Sequence, residues 1–198
     1  MPKVHKGIED FNNMIFSLIE EKICKVEYFG LQSEFEGEIY SSNYKTNFSD
    51  VHSFELGLVL HMESENIFEF IWDNSFYCYG IGIVKNNFPD YQSEGVEKWV
   101  MTDDDLWKKY IGKEITNVSI NWSSSMSVIS HSPNKSEIGK KTKEIHPETC
   151  ILYFHGTDDV IIISSSGFLG EDCDIVFTGH DNIIVTNNKE TAVRIKLF

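Results

Sequence analysis

Apolar residues at Ile8, Phe11, Met14, Ile15, Leu18 and Ile19 recur at the i, i+3, i+4, i+7 spacing of one helical face, which predicts an amphipathic helix over residues 8–21. The period then shortens to that of strands. Residues 23–28 read as one strand and 34–40 as another, and a polar stretch over 41–53 reads as a loop. Residues 54–61 and 67–72 flank the polar run Met62-Glu63-Ser64-Glu65-Asn66, the pattern of a hairpin. Residues 77–84 form a further strand, in which Gly80 and Gly82 allow a bulge or close packing.

After a loop over 88–100 the sequence of patterns begins again. Thr102 followed by Asp105 resembles a capping box, with Asp103, Asp104 and Asp105 in the first turn where they favour the helix dipole. The helix this predicts runs to Ile111 and stops at Gly112, a suitable C′ residue. Residues 115–122 are a strand and 123–149 a long loop. Residues 150–154 and 160–164 make a hairpin across His155-Gly156-Thr157-Asp158-Asp159. Residues 174–178 and 182–186 make another across Gly179-His180-Asp181, and 192–197 is a last strand.

The two series match at an offset of 92 residues. Met14, Ile15, Leu18, Ile19, Ile23, Val26 and Tyr28 correspond to Leu106, Trp107, Tyr110, Ile111, Ile115, Val118 and Ile120. A second stretch matches at an offset of 94, aligning Leu58-Val59-Leu60-His61 with Leu152-Tyr153-Phe154-His155. The expected fold is therefore α+β and strand-rich, with mostly antiparallel sheets and one helix per half. The pseudo-repeated halves, about 7–90 and 100–198, pack as a single compact domain over 1–198, since no Pro/Gly/Ser-rich linker separates them.

Composition narrows the function classes. A chain of 198 residues buries roughly 70% of its unfolded surface, so it needs no metal or disulfide to be stable. The longest apolar run, residues 160–163, is too short to span a bilayer. No signal peptide is apparent after Met1, and Cys24, Cys78, Cys150 and Cys173 form no CxxC pair, which points to free thiols and a cytoplasmic location. A net charge of −14 argues against nucleic acid and anionic membranes as partners, and is compatible either with solubility alone or with a basic protein partner.

Candidate chemistry is sparse. No P-loop, Rossmann fingerprint, GxSxG, HExxH or EF-hand pattern occurs, and no cofactor, metal or catalytic residue is assigned. His61 and His155 fall at the ends of strands, where a shared metal or plain local hydrogen bonding are the two readings, the absence of HxH or HxxxH favouring the second. Cys173 with His180 has the residue types of a nucleophile and its base, but Gly179-His180-Asp181-Asn182 also reads as an ordinary turn. Two sets of binding residues remain. Glu63, Glu65, Asp158 and Asp159 at hairpin tips, with Lys140 and Lys141 in the long loop, are candidates for contacting a protein partner. Trp72, Tyr79, Trp107 and Trp122 are candidates for lining a small-ligand cleft between the halves.

The run Trp107-Lys108-Lys109-Tyr110-Ile111-Gly112-Lys113-Glu114-Ile115-Thr116-Asn117-Val118, with Leu152-Tyr153-Phe154 and Ile161-Ile162-Ile163 after it, resembles small uncharacterised bacterial cytosolic proteins. In those proteins Ile-Gly-Lys-x-Ile-x-x-Val precedes a strand hairpin, and some are immunity partners of polymorphic toxins. The resemblance covers about half the chain and transfers no catalytic residue. It implies a non-enzymatic protein-binding module, an inhibitor of immunity type. The alternative is a small-ligand-binding module with its pocket between the halves.

Overall fold

The computed structural model describes residues 5–35, 38–40, 43–76, 80–86, 95–128, 139–169 and 175–197. It is strand-rich, as the alternating apolar pattern requires. In chain order the elements are α1 (Ile8–Phe16), β1 (Ile23–Leu31), β2 (Ser33–Phe35), β3 (Glu38–Tyr40), β4 (Val51–Phe54), β5 (Gly57–Met62), β6 (Ile67–Asp73) and β7 (Gly80–Lys85). There follow β8 (Val96–Val100), β9 (Ile115–Val128), β10 (Lys141–Phe154), β11 (Val160–Leu169), β12 (Ile175–Thr186) and α2 (Lys189–Arg194).

Two five-stranded antiparallel sheets carry the fold, in the orders β7-β6-β5-β1-β8 and β4-β12-β11-β10-β9, with β2 and β3 paired apart from them. The sheets share one core. Val26, Tyr28, Leu58, Leu60, Phe68, Phe70, Ile81 and Ile83 of the first belong to the same buried cluster as Val118, Cys150, Leu152, Ile161, Ile163, Ile183 and Val185 of the second. Strand alternation makes this possible, because every second side chain of each sheet points to the other. The outer face of the second sheet is covered as well. Val160, Ile162 and Ile184 pack there against Ala192, Ile195 and Leu197 from α2 and the residues after it.

The strand pairings of the two sheets are specific. In the first, Ile23 pairs with Met62, Lys25 with His61, Val26 with Leu60, Glu27 with Val59 and Tyr28 with Leu58, with an irregularity between Ile23 and Lys25. In the second, Ile115 pairs with Phe154, Asn117 with Tyr153, Val118 with Leu152, Ser119 with Ile151 and Ile120 with Cys150, with an irregularity between Tyr153 and Phe154.

Both hairpins expected around 62–66 and 155–159 are present, as β5–β6 and β10–β11. Several expectations are corrected. The helix of 8–21 stops at Phe16; Leu18 and Ile19 then donate to Ile15 and Phe16, so a tighter turn carries the apolar stripe onward. Residues 102–111 form hydrogen-bonded turns rather than a helix. The Thr102 hydroxyl does not cap them, because it accepts the Val26 N–H at 3.2 Å, and Asp104 instead accepts the Leu106 N–H at 2.9 Å. Successive bonds to the third residue back seat Leu106, Trp107 and Tyr110 inward within a short span. Residues 54–61 are not one strand: β4 lies beside β12 in the second sheet, and the chain crosses at Glu55 and Leu56 to start β5 in the first.

The supposed loops at 41–53 and 88–100 contain β4 and β8, and 34–40 divides into β2 and β3. Within the long loop of 123–149 the described residues 123–128 and 141–149 are strand, since β9 and β10 pair out to Val128 and Lys141. Its serine-rich alternation hid the ladder from a hydrophobic reading. Residues 174–186 do not form a hairpin. The described residues 175–186 run as one strand, β12, with Gly179 to Asn182 bulged out between the pairs Ser165–Ile183 and Ser166–Thr178. The last expected strand is instead α2, whose N-cap Asn188 accepts from the backbone N–H groups of Glu190 and Thr191. No helix among the described residues is long and apolar enough to cross a membrane.

Candidate functional site

The ends of the two sheets meet at a short crossing of the chain. Lys22 and Glu114 form an antiparallel bridge. On either side of it Glu20 donates its N–H to Ile115 and Gly112 donates to Ile23, both at 2.8 Å. Glu20 and Gly112 share the left-handed conformation, at φ 73° and 74°. The turns that follow β5 and β10 are tied to the same crossing. Glu63 donates its N–H to the Lys22 carbonyl at 2.8 Å, and His155 donates to the Glu114 carbonyl at 2.9 Å.

Glu63, Glu65, Asp158 and Asp159 therefore sit, all exposed, at one end of the molecule. Further bonds shape the turns. Glu21 accepts from Ser64 at 2.6 Å and from the Asn66 amide at 2.7 Å, which fixes the first. Asp159 pairs with Lys109 at 2.9 Å, an exposed pair whose hydrogen bond lowers the Asp159 carboxyl below its usual range. Lys109, Asp158, Asp159, Asn187, Asn188 and Glu190 line a shallow polar recess of about 460 Å³. Glu20, Glu21 and Glu114 add to the acidic side, and Lys22, Lys109 and Lys113 offset it only in part.

Lys140 and Lys141 lie elsewhere. They are exposed at the far end of the β9–β10 ribbon, one full length of β10 from Asp158, roughly 40 Å at the rise of a strand. The aromatic set is distributed through the core. Trp107 is fully buried, and Trp72 and Trp122 are half-buried against the same cluster, Trp122 edge-on to Phe11 and Phe76. Tyr79 lies outside the described residues. So does Cys173, while His180 falls in the bulge of β12. Cys150 is fully buried, and burial pushes its thiol up. His61 stands opposite Lys25, and the residue in the matching place opposite Asn117 is Tyr153, so the 94-residue alignment of His61 with His155 does not follow the strand pairing. Among the described residues no group of His, Cys, Asp and Glu is arranged to hold a metal.

Two constellations escaped the sequence reading. The first is buried between the sheets. Trp107 donates its indole N–H to the Tyr28 hydroxyl at 2.5 Å, and that hydroxyl meets His52 Nδ1 at 3.1 Å, with His52 Nε2 3.9 Å from Asp104. Desolvation lowers the His52 imidazole, and the Tyr28 hydroxyl, which already accepts from Trp107, has its own proton to share with Nδ1. The order Asp104–His52–Tyr28 mimics a catalytic relay. Yet Tyr28 is fully buried and its phenol is raised well above its usual value, so it offers no nucleophile. Its work is to join β1, β4 and the 102–112 turn.

The second lies on the outer face of the first sheet. Glu27, with its side chain only 4% exposed, forms ion pairs with Lys25 and Lys98, each Nζ 2.6 Å from one oxygen, and is hydrogen-bonded to His61 at 2.7 Å on the other. Burial alone would raise this carboxyl, but the bonds from Lys25, Lys98 and His61 outweigh it and bring it down to about 2. Neither set was legible in advance, because its members are separated by tens of residues and no spacing rule links them. The alternation of Lys25 and Glu27 on one strand face was the single local signal.

The chain matches no family model, no curated protein and no solved structure.

Proposed function

We propose that this protein is a non-enzymatic protein-binding module, an inhibitor of immunity type that occludes a basic partner with the acidic end formed by its two hairpin turns. The observation that carries the reading is the convergence of those turns: both are hydrogen-bonded to the Lys22–Glu114 crossing, so their carboxylates form one surface. An acidic surface held on rigid backbone steers a basic protein into register and speeds its encounter. The groups that imitate a catalytic relay support the same reading, since the hydroxyl at its end is out of reach of any substrate. Free thiols at Cys24 and Cys150 suit a reducing cytoplasm.

We further infer that the molecule contains two copies of one packing unit. In its support, the pairs Ile23–Met62 and Val26–Leu60 recur 92 positions later as Ile115–Phe154 and Val118–Leu152, with the extra residue at Cys24 and Thr116. The left-handed residues Glu20 and Gly112 keep the same separation.

The test compares capture from the native cell by the wild-type protein and by a variant carrying Glu63→Lys, Glu65→Lys, Asp158→Lys and Asp159→Lys. The expected result is a stoichiometric basic protein held by the wild type, lost by the variant, and neutralised in activity by the wild type alone. Association should slow steeply with added salt. Capture that ignores the four reversals would sink the reading.

A further inference from the structure

The cluster around Glu27 has a geometry that a simple ion pair does not need. Lys25 Nζ and Lys98 Nζ each lie 2.6 Å from the same Glu27 oxygen, so the two ammonium groups are no more than about twice that distance, 5.2 Å, apart. Like charges approach so closely only when something holds them, and here one buried carboxylate holds both. Each ammonium has three N–H donors. The Lys25 and Lys98 side chains are 42% and 49% exposed, so donors not spent on Glu27 face solvent. His61, 26% exposed, closes the third side. Lys98 is also steadied by the Phe29 ring, 5.6 Å beneath its nitrogen. Two ammonium groups share this one carboxylate on a chain of net charge −14, with Glu69 and Asp73 further along the same sheet face.

The second sheet shows that the fold does not require these charges. At the matching register Asn117, Ser119 and Tyr153 stand where Lys25, Glu27 and His61 stand in the first, and there a neutral hydrogen bond of 3.3 Å between the Ser119 and Tyr153 hydroxyls suffices. A buried carboxylate with two ammonium partners and an imidazole is costly beside such a pair. Its return is an arrangement of donors set in place before any ligand arrives.

We propose that Lys25, Lys98 and His61, positioned by Glu27, form a binding site for a phosphate group. Two ammonium donors at this spacing, with an imidazole at an angle to them, suit a tetrahedral oxyanion that presents acceptors in several directions better than a planar carboxylate. The site is independent of the acidic end, and nothing in it depends on a protein partner.

The test is a titration of the full-length protein with inorganic phosphate at constant ionic strength, following the His61 ring resonances by NMR. Parallel titrations use glycerol phosphate and acetate. Saturable shifts with phosphate are expected, about tenfold or more weaker in Lys98→Ala and Lys25→Ala, as for loss of one hydrogen bond to a charged group. Lys98→Arg should retain binding, and Lys143→Ala, far along β10 from the turn at His155, should leave it unchanged. Tighter binding of glycerol phosphate would point to an organic phosphate ester; equal binding would point to free phosphate. Absence of saturation, equal binding of acetate, or Lys98→Ala and Lys98→Gln both titrating like the wild type would each overturn the proposal.

Discussion

The β1–β5 pair and the β9–β10 pair hold their partners in the same register, and both place an irregularity at the same point. What differs is the side of each sheet that faces away from the core. The second sheet's outer face is covered: Val160, Ile162 and Ile184 lie under Ala192 and Ile195, beside the buried hydroxyls of Thr149 and Ser164. The first sheet carries Lys25, Glu27, His61, Glu69 and Asp73 on its outer face, with Glu27, Glu69 and Asp73 buried. The comparison teaches that strand pairing is set by the inward residues, which are alike in the two sheets, and leaves the outward positions free. One set has been used to seat a helix, the other to build a charged cluster.

The largest effect expected in testing this comparison is at the inward positions. Trp107 and Ile15 are both fully buried, Ile15 just before β1 of the first sheet and Trp107 just before β9 of the second. Trp107→Ala should cost about 3–5 kcal/mol and Ile15→Ala about 2–4 kcal/mol in chemical denaturation. The larger loss includes the indole bond to Tyr28. A surface-like cost of under about 1 kcal/mol at either position would break the shared-core account.

The outward positions differ in how they respond to acid. Glu27 is depressed to about 2 from an ordinary 4.5, so its contribution is fully present above pH 4.5 and is lost as pH falls toward 2. Glu27→Gln should cost about 2 kcal/mol at neutral pH, allowing for the half-exposed lysines, and the gap from wild type should close between those limits. Ser119→Ala, which removes the neutral counterpart, should show no such closure. Equilibrium unfolding from pH 5 to pH 2 measures both.

A smaller difference lies at the third strand pairs. Gly82 stands opposite Ile71, where Ile184 stands opposite Ser164 in the second sheet. A Cβ at Gly82 would come within 2.6 Å of the Asp73 Cβ, so Gly82→Ala should cost about 1–3 kcal/mol, readable as a lower Tm. The smallest effects are at the left-handed residues. Gly112→Ala should destabilise by about 1 kcal/mol, while Glu20→Gly should be neutral or stabilising by about 0.5 kcal/mol, because only Gly112 already has the permissive residue. Equal losses at both would mean that the two crossings are not alike.

Periodicity alone determined much of this protein: the amphipathic start at Phe11, Ile15 and Leu18, the strands around Val26, Leu60, Val118 and Leu152, the two hairpins with acidic turns, and the strand-rich class. These follow from which neighbouring side chains must be buried together, and a chain displays that locally. Tertiary structure decided the rest. Asn188 offered its side chain to two N–H groups and made a helix of a segment whose apolar spacing also suits a strand. Thr102 gave its hydroxyl to β1 and lost the helix it was expected to cap. The serine-rich stretch from Ser123 became strand because Lys141 to His146 lay alongside to complete its hydrogen bonds. The Glu27 cluster gathers residues from three strands, and Tyr28, His52, Asp104 and Trp107 meet from both sheets and the turn between. Such contacts depend on backbone partners and charges brought together only after the sheets form, and no pattern along a single segment can announce them.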